Sequence, residues 1–285
     1  METSYSPHEE ALARYGDRIS SETKAVQARL LEILKVIHQT CQEHGLTYYL
    51  LSGSCLGAVR HQGFIPWDDD ADIGLPRPDY DLLVAHAAEW LPEDYELVSG
   101  ATCPNYPYAF ARIQDRRTTY ILRRSFDFVG GLPVDVFPLD GMTASGWRRR
   151  WHYLRLGITK KLLYFRLVDP CKHGHGLHFL LSKTVRALWR AETLHRRLDR
   201  IQREFDYASS PFIVDHDFKA SKGIYPRSMF GSPTIVPFAD TELATVSTPD
   251  AYLRLLYGDY MQLPSQLPPC NYRFLDLEKP YLIKS

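Results

Sequence analysis

The chain has 285 residues, enough for one large domain or two smaller ones. Its 45% apolar and 24% charged composition is that of a soluble globular protein, and 34 basic residues balanced by 34 acidic ones leave no net charge to hold bulk nucleic acid. The opening METSYSPHEEALARYGD has early acids and no apolar stretch of the signal-peptide kind. No apolar run approaches a membrane span, and five scattered cysteines read as reduced thiols, so a cytoplasmic protein without structural disulfides is expected.

In residues 20–44, Val26, Leu30, Leu34, Ile37 and Cys41 recur at three- and four-residue spacing, one apolar stripe of a helix that Gly45 ends. Residues 1–45 are therefore expected to be a helical segment packed on the core. Residues 46–51 form a short apolar strand that ends at Ser52-Gly53-Ser54, and a short helix over 55–61 follows. Pro66 and Trp67 lead into a second strand carrying Asp70 and Asp72. Pro76 and Pro78 end that strand, and Pro78 suits the first turn of a helix reaching Trp90. Strands are expected over 95–99, 108–113 and 118–128, with Gly130-Gly131 as a turn. A last short strand over 132–137 carries Asp135 between two valines, and Asp140-Gly141 closes it. Strands and helices intermix without a regular βαβ repeat. The fold expected over 46–146 is thus α+β, a mixed, partly antiparallel sheet flanked by helices. Residues 147–206 are basic and helical, broken at 169–176. Residues 207–285 are mixed again, with a short helix over 251–256 before Tyr257-Gly258-Asp259-Tyr260.

Alternate residues of a strand face the same way, so Asp70 and Asp72 project together while Ala71 and Ile73 turn to the core. Two carboxylates side by side repel, and both stay ionised cheaply only with a cation between them. A hard divalent ion, magnesium with manganese as the alternative, answers that need better than a solvated acidic turn does. Asp68 and Asp69 precede the alternation and are expected to support the turn. The Gly53-Ser54 turn at a helix start offers N–H groups and a dipole to a phosphate, although Gly-Ser caps are common. Asp135, flanked by valines, is costly without a partner and reads as a third metal ligand or a base beside the metal, against the plainer reading of a strand-end aspartate facing water. Arg60 and Lys222 are candidates for phosphate contact, against the plainer reading of surface cations, with Lys219 and Arg227 behind them. The Cys171, His173, His175 and His178 run matches no common zinc spacing and reads as a surface loop. In the basic region Trp147, Trp151, Leu154, Leu162, Leu163 and Phe165 lie among arginines and lysines. That pattern suits peripheral membrane contact or simply solvated helix faces.

The stretch SGSCLGAVRHQGFIPWDDDADIG, residues 52–74, resembles the signature of the LicD family, which includes bacterial phosphocholine transferases and is related to fukutin. The resemblance continues at PVDVFPLDG, residues 133–141, and at YGDYM, residues 257–261, with Leu263-Pro264 after it. It implies a nucleotidyltransferase-like fold in which Gly53 and Ser54 hold phosphate and Asp70, Asp72 and Asp135 are catalytic and bind metal. It also implies a CDP-linked donor such as CDP-choline, and a hydroxyl acceptor on a cell-surface glycan, lipid-linked oligosaccharide or teichoic-type polymer. Transfer would occur at the cytoplasmic face of the membrane, and residues 207–285 would complete the substrate site. If the donor head is choline, Tyr106, Tyr108, Tyr257 and Tyr260 are candidates for an aromatic box. A nucleotidyltransferase acting on a small molecule, or a relative that binds without turnover, remains as an alternative.

Overall fold

The computed structural model describes residues 6–281 apart from 17, 18, 104, 123–125, 127, 174 and 175. His175 and the His173 side chain lie outside the described residues, so the Cys171–His178 run is not assembled here. The helices are α1 (Pro7–Tyr15), α2 (Ser21–Glu43), α3 (Ser52–His61), α4 (Arg77–Trp90), α5 (Gly146–Leu167), α6 (Leu177–Leu188), α7 (Ala191–Gln202) and α8 (Pro249–Tyr257). The strands are β1 (Tyr49–Leu50), β2 (Asp72–Pro76), β3 (Tyr95–Val98), β4 (Ala111–Leu122) and β5 (Val129–Met142), then β6 (Phe212–Asp215), β7 (Ile224–Pro226), β8 (Thr234–Phe238), β9 (Thr241–Thr245) and β10 (Tyr272–Asp276). Among the described residues, no helix is long and apolar enough to cross a membrane.

All ten strands join one mixed sheet, in the order β10-β4-β5-β2-β1-β9-β8, with β3 on β4 and β6–β7 on β5. β2 runs parallel to β5 and β1 parallel to β9, while the other pairs are antiparallel. The fold is the expected α+β mixed sheet with flanking helices.

α2 starts at an N-cap where Ser20 Oγ accepts the Thr23 N–H at 3.0 Å. Its stripe of Val26, Leu30, Ile33, Leu34, Ile37 and Cys41 is buried in the main core with the inward residues of β1, β2, β4 and β5. Each fully buried aliphatic there contributes about 1.5–3 kcal/mol relative to exposure. A second core joins α5 to α7 through Leu156, Leu163, Leu194, Leu198 and Ile201.

Three elements differ from the sequence reading. Residues 108–113 and 118–128 contribute to a single strand, β4, whose register shifts between Asp115 and Tyr120. Gly130-Gly131 lies inside β5 and forms no turn. A Cβ on Gly131 would fall 1.9 Å from the Asp115 carbonyl oxygen, so the glycine is required by close strand approach. α3 begins at Ser52, which places Gly53 and Ser54 in its first turn instead of before it.

Candidate active site

The site is built where β2 enters the sheet. Asp72 opens β2 and lies in register with Asp135 on the parallel β5, and the Asp135 N–H donates to the Ala71 carbonyl at 2.9 Å. Asp70 was expected on the strand but lies two residues before it, in a segment without regular secondary structure. Ser54, buried in the first turn of α3, accepts the Asp72 N–H on Oγ at 2.9 Å. Gly53 packs so tightly on the acids that a Cβ there would lie 3.0 Å from Asp68 Oδ2. Ser52, just before it, takes a left-handed φ of 47°, uncommon for serine, and its N–H donates to the Tyr252 hydroxyl at 3.1 Å.

The acids are crowded and dry. Carboxylate oxygens of Asp68, Asp69 and Asp70 all lie within 4.8 Å of one another. Burial, and then Asp135 and Asp69, push Asp70 up to about 6. Burial, and then Asp70, Asp135 and Asp68, hold the Asp72 carboxyl well above the ordinary range. Asp68 is raised in the same way by burial and by Asp70 and Asp69. Each shift has the same physical cause, clustered negative charge with little water.

The nearby cations are engaged elsewhere. Arg112 forks onto Asp135 (Nε–Oδ1 2.6 Å, Nη2–Oδ2 3.2 Å), and its guanidinium also stands 4.3 Å over the Tyr108 ring. Arg60 is buried, and its Nη1 donates to the carbonyls of Tyr260 (2.5 Å) and Gln262 (3.3 Å). Its Nε donates to His61 Nε2 at 2.9 Å, and burial with the adjacent Arg60 lowers His61 to about 3, so that nitrogen is a free acceptor. Arg60 therefore clamps the 257–262 segment beside the site and is not a free phosphate ligand. Lys222 does not line the acid cleft. Its Nζ donates to the Leu256 carbonyl at 3.1 Å, tying the β6–β7 hairpin to α8.

Four further residues belong to the site. Asn271 donates to Asp69 (N–Oδ2 2.9 Å, Nδ2–Oδ1 2.8 Å) and to Asp70 Oδ2 (2.9 Å). Asp217 lines the same cleft. Tyr257 has a hydroxyl raised by burial and by the fields of Asp72 and Asp68, which places it against the acids. Asp68 is central, not a mere turn support. The sequence could also have flagged Arg112, a charge between the core residues Ala111 and Ile113 of a strand. Asn271 lies in a loop 200 residues away and leaves no local signal. Of the tyrosines named for an aromatic box, Tyr106 is fully buried, Tyr260 donates to Asp250 at 2.9 Å, and Tyr108 lines the acid cleft.

Hard oxygen donors, raised carboxyls and, as the one cation lining the acid cleft, an Arg112 already paired with Asp135 make a donor set that fits a magnesium-type ion. A mixed sheet with acids on neighbouring parallel strands and a helix N-terminus against them defines a nucleotidyltransferase-type site. Residues 45–149 match the family model described as LicD/FKTN/FKRP, nucleotidyltransferase domain. The lipopolysaccharide cholinephosphotransferase LicD of Haemophilus influenzae is 25% identical over 260 residues, 83% of this chain and 90% of that protein. The ribitol-5-phosphate transferase FKTN of Mus musculus is 31% identical over 94 residues, 32% of this chain and 20% of that protein. Its human counterpart is 30% identical over 136 residues, 47% of this chain and 26% of that protein.

Proposed function

We propose that the chain transfers a phospho-substituent, phosphocholine or a similar phospho-alcohol, from a CDP-activated donor to a hydroxyl of a cell-surface glycan or its lipid-linked precursor. The observation that carries this reading is the register pairing of Asp72 with Asp135, with Asp70 and Asp68 crowded beside them. Similarity along nine-tenths of a protein named a cholinephosphotransferase supports the group transferred. Magnesium, or manganese, held by Asp70, Asp72 and Asp135 would neutralise the donor diphosphate. The chain's own part is positioning. The N–H groups of Gly53 and Ser54 face an incoming anion, and Arg112 fixes the Asp135 carboxylate. The acceptor oxygen forms a bond to the donor phosphorus as the bond to CMP breaks, and CMP leaves with the electron pair. The hydroxyl proton passes to a carboxylate of the cleft, Asp135 or Asp217, the latter 3.5 Å from Lys160 Nζ.

The test is a thermal-shift series with CDP-choline, CDP-ethanolamine, CDP-glycerol and CDP-ribitol, with magnesium and with chelator. One donor should stabilise the fold by about 2.7 kcal/mol at roughly a hundredfold over its Kd, and only with magnesium. CMP should then be released once a glycan acceptor is added. Pyrophosphate release from a nucleoside triphosphate, with no response to any CDP-alcohol, points instead to a small-molecule nucleotidyltransferase.

The same reading places the protein at the cytoplasmic membrane face. α5 exposes Trp147 (71%), Trp151 (51%), Leu154 and Ile158 at a spacing of four, three and four residues, one unpartnered stripe. Arg148, Arg150 and Lys161 flank it, and α6 exposes Leu177, Leu180, Leu181 and Leu188. An apolar stripe edged with cations complements an anionic bilayer surface. Cosedimentation with phosphatidylglycerol vesicles should exceed that with phosphatidylcholine vesicles, and Trp147→Ser with Trp151→Ser should weaken it about tenfold or more. Equal sedimentation of the variant and the native chain would refute the membrane contact.

A further inference from the structure

We propose that the acceptor occupies a track running from the acid cleft past Tyr108 and Phe110, through the cavity between α4 and α7, to an arginine groove on α7, and that the chemistry it recognises is a phosphorylated saccharide. The proposal rests on the transfer reading only for the statement that this ligand is the acceptor.

The cavity has a volume of about 760 Å³, and Tyr108 and Phe110 line both it and the acid cleft. Their rings stack, with centroids 4.9 Å apart, and Tyr80 adds a third aromatic to the lining. An aromatic-walled space of this size suits about two or three sugar rings. His195 also lines it. This imidazole is nine-tenths buried, yet its Nε2 has no hydrogen-bond partner. An orphaned buried nitrogen at a cavity wall is what a ligand hydroxyl would satisfy. Gly100 makes room for it, since a Cβ there would fall 2.1 Å from His195 Nδ1.

Thr193 and Arg196 continue from this cavity into an adjoining groove of about 520 Å³. The rest of that groove is Arg155, Arg197, Arg200 and Ile201, four arginines with Arg196 and no carboxylate. Residues 193, 196, 197 and 200 share one face of α7 by their spacing. Glu204 pairs with Arg155, and Arg197 stands over Trp189. Among the described residues, Arg196 and Arg200 make no ion pair. Guanidiniums gathered in one groove, of which only Arg155 is paired with an acid, recognise phosphate through forked hydrogen bonds, in a way that a neutral sugar does not engage. A donor diphosphate belongs at the other end, against the acids, so the groove is left for a phosphate carried by the acceptor.

The probe is trehalose 6-phosphate, with trehalose as the uncharged control, titrated calorimetrically into the full chain. Trehalose 6-phosphate should bind with a Kd of about 1 mM or tighter, roughly tenfold better than trehalose. Arg196→Ala with Arg200→Ala should remove that advantage, and His195→Ala should weaken both sugars. Asp70→Asn should leave sugar binding unchanged, so failure of the donor reading and failure of the track are separable. The proposal is overturned if the two sugars bind alike, if the arginine variant binds like the native chain, or if nothing binds at about 10 mM. It is equally overturned if the arginine variant loses anionic-vesicle binding while keeping trehalose 6-phosphate, which would assign the groove to lipid headgroups.

Discussion

Replacing Asp72 or Asp70 with asparagine should lower CMP release by about a thousandfold, some 4 kcal/mol of barrier, without unfolding the protein. Asp72 is half-buried beside Asp70, Asp135 and Asp68, whose charges all disfavour its ionised form. In the metal-free protein an amide of the same size removes that repulsion. Melting with chelator should therefore show Asp72→Asn at or above the native Tm. Magnesium should raise the Tm of the native chain and leave that of the variant nearly unmoved. Full turnover by either variant with magnesium supplied would exclude these acids from the chemistry. A Tm well below native in chelator would instead mean that Asp72 makes a structural contact in the metal-free fold.

Replacing Arg77 with methionine should cost about 3–5 kcal/mol of stability, read as a lowered urea midpoint. Arg77 begins α4 directly after β2, and Asp140 lies near the end of β5. The guanidinium grips both carboxylate oxygens at 2.6 Å, where Asp140 is 1% exposed. Burial pushes the Asp140 carboxyl up, but Arg77 and His216 outweigh it and hold it below its usual value. A depressed carboxyl contributes stability above its unfolded pKa, and that contribution is lost as pH falls through the folded one. The deficit of the variant should accordingly be larger at pH 8 than near pH 4, where Asp140 can protonate. Asp140→Asn on top of Arg77→Met should restore much of the loss, because no uncompensated buried charge remains. The pair locks the far end of the β2–β5 ladder, whose near end sets Asp72 opposite Asp135. Transfer should therefore weaken with stability. If the single variant equals native in urea at pH 8, the buried pair does not carry this load.

Asp72 and Asp135 were legible on their strands because alternation and flanking β-branched residues are local signals, whereas Asp70 lies just before β2 and joins them through the chain's path into the strand. Gly53 and Ser54 were likewise visible as a helix start. The structure puts them within the first turn of α3, where Ser54 holds the Asp72 backbone and Gly53 gives way to Asp68. Arg60 looked like a phosphate ligand because sequence shows its charge and its helix end. It cannot show that two distant carbonyls occupy the guanidinium.

The sequence by itself determined the amphipathic helices, the α+β class, the acid trio and the LicD-type signature. Each depends on spacing within a few residues or on short motifs that survive without a fold. Only the tertiary structure decided which charges neutralise which. Arg112 was placed on Asp135 and Asn271 on Asp69 and Asp70, and Arg77 on Asp140. It also set the α7 arginines beside a cavity that opens, at Tyr108 and Phe110, toward the acids. The physical reason is range. Periodicity and propensity act along the chain, whereas pairing of buried charges is fixed by strand register and helix packing between residues up to about 200 positions apart.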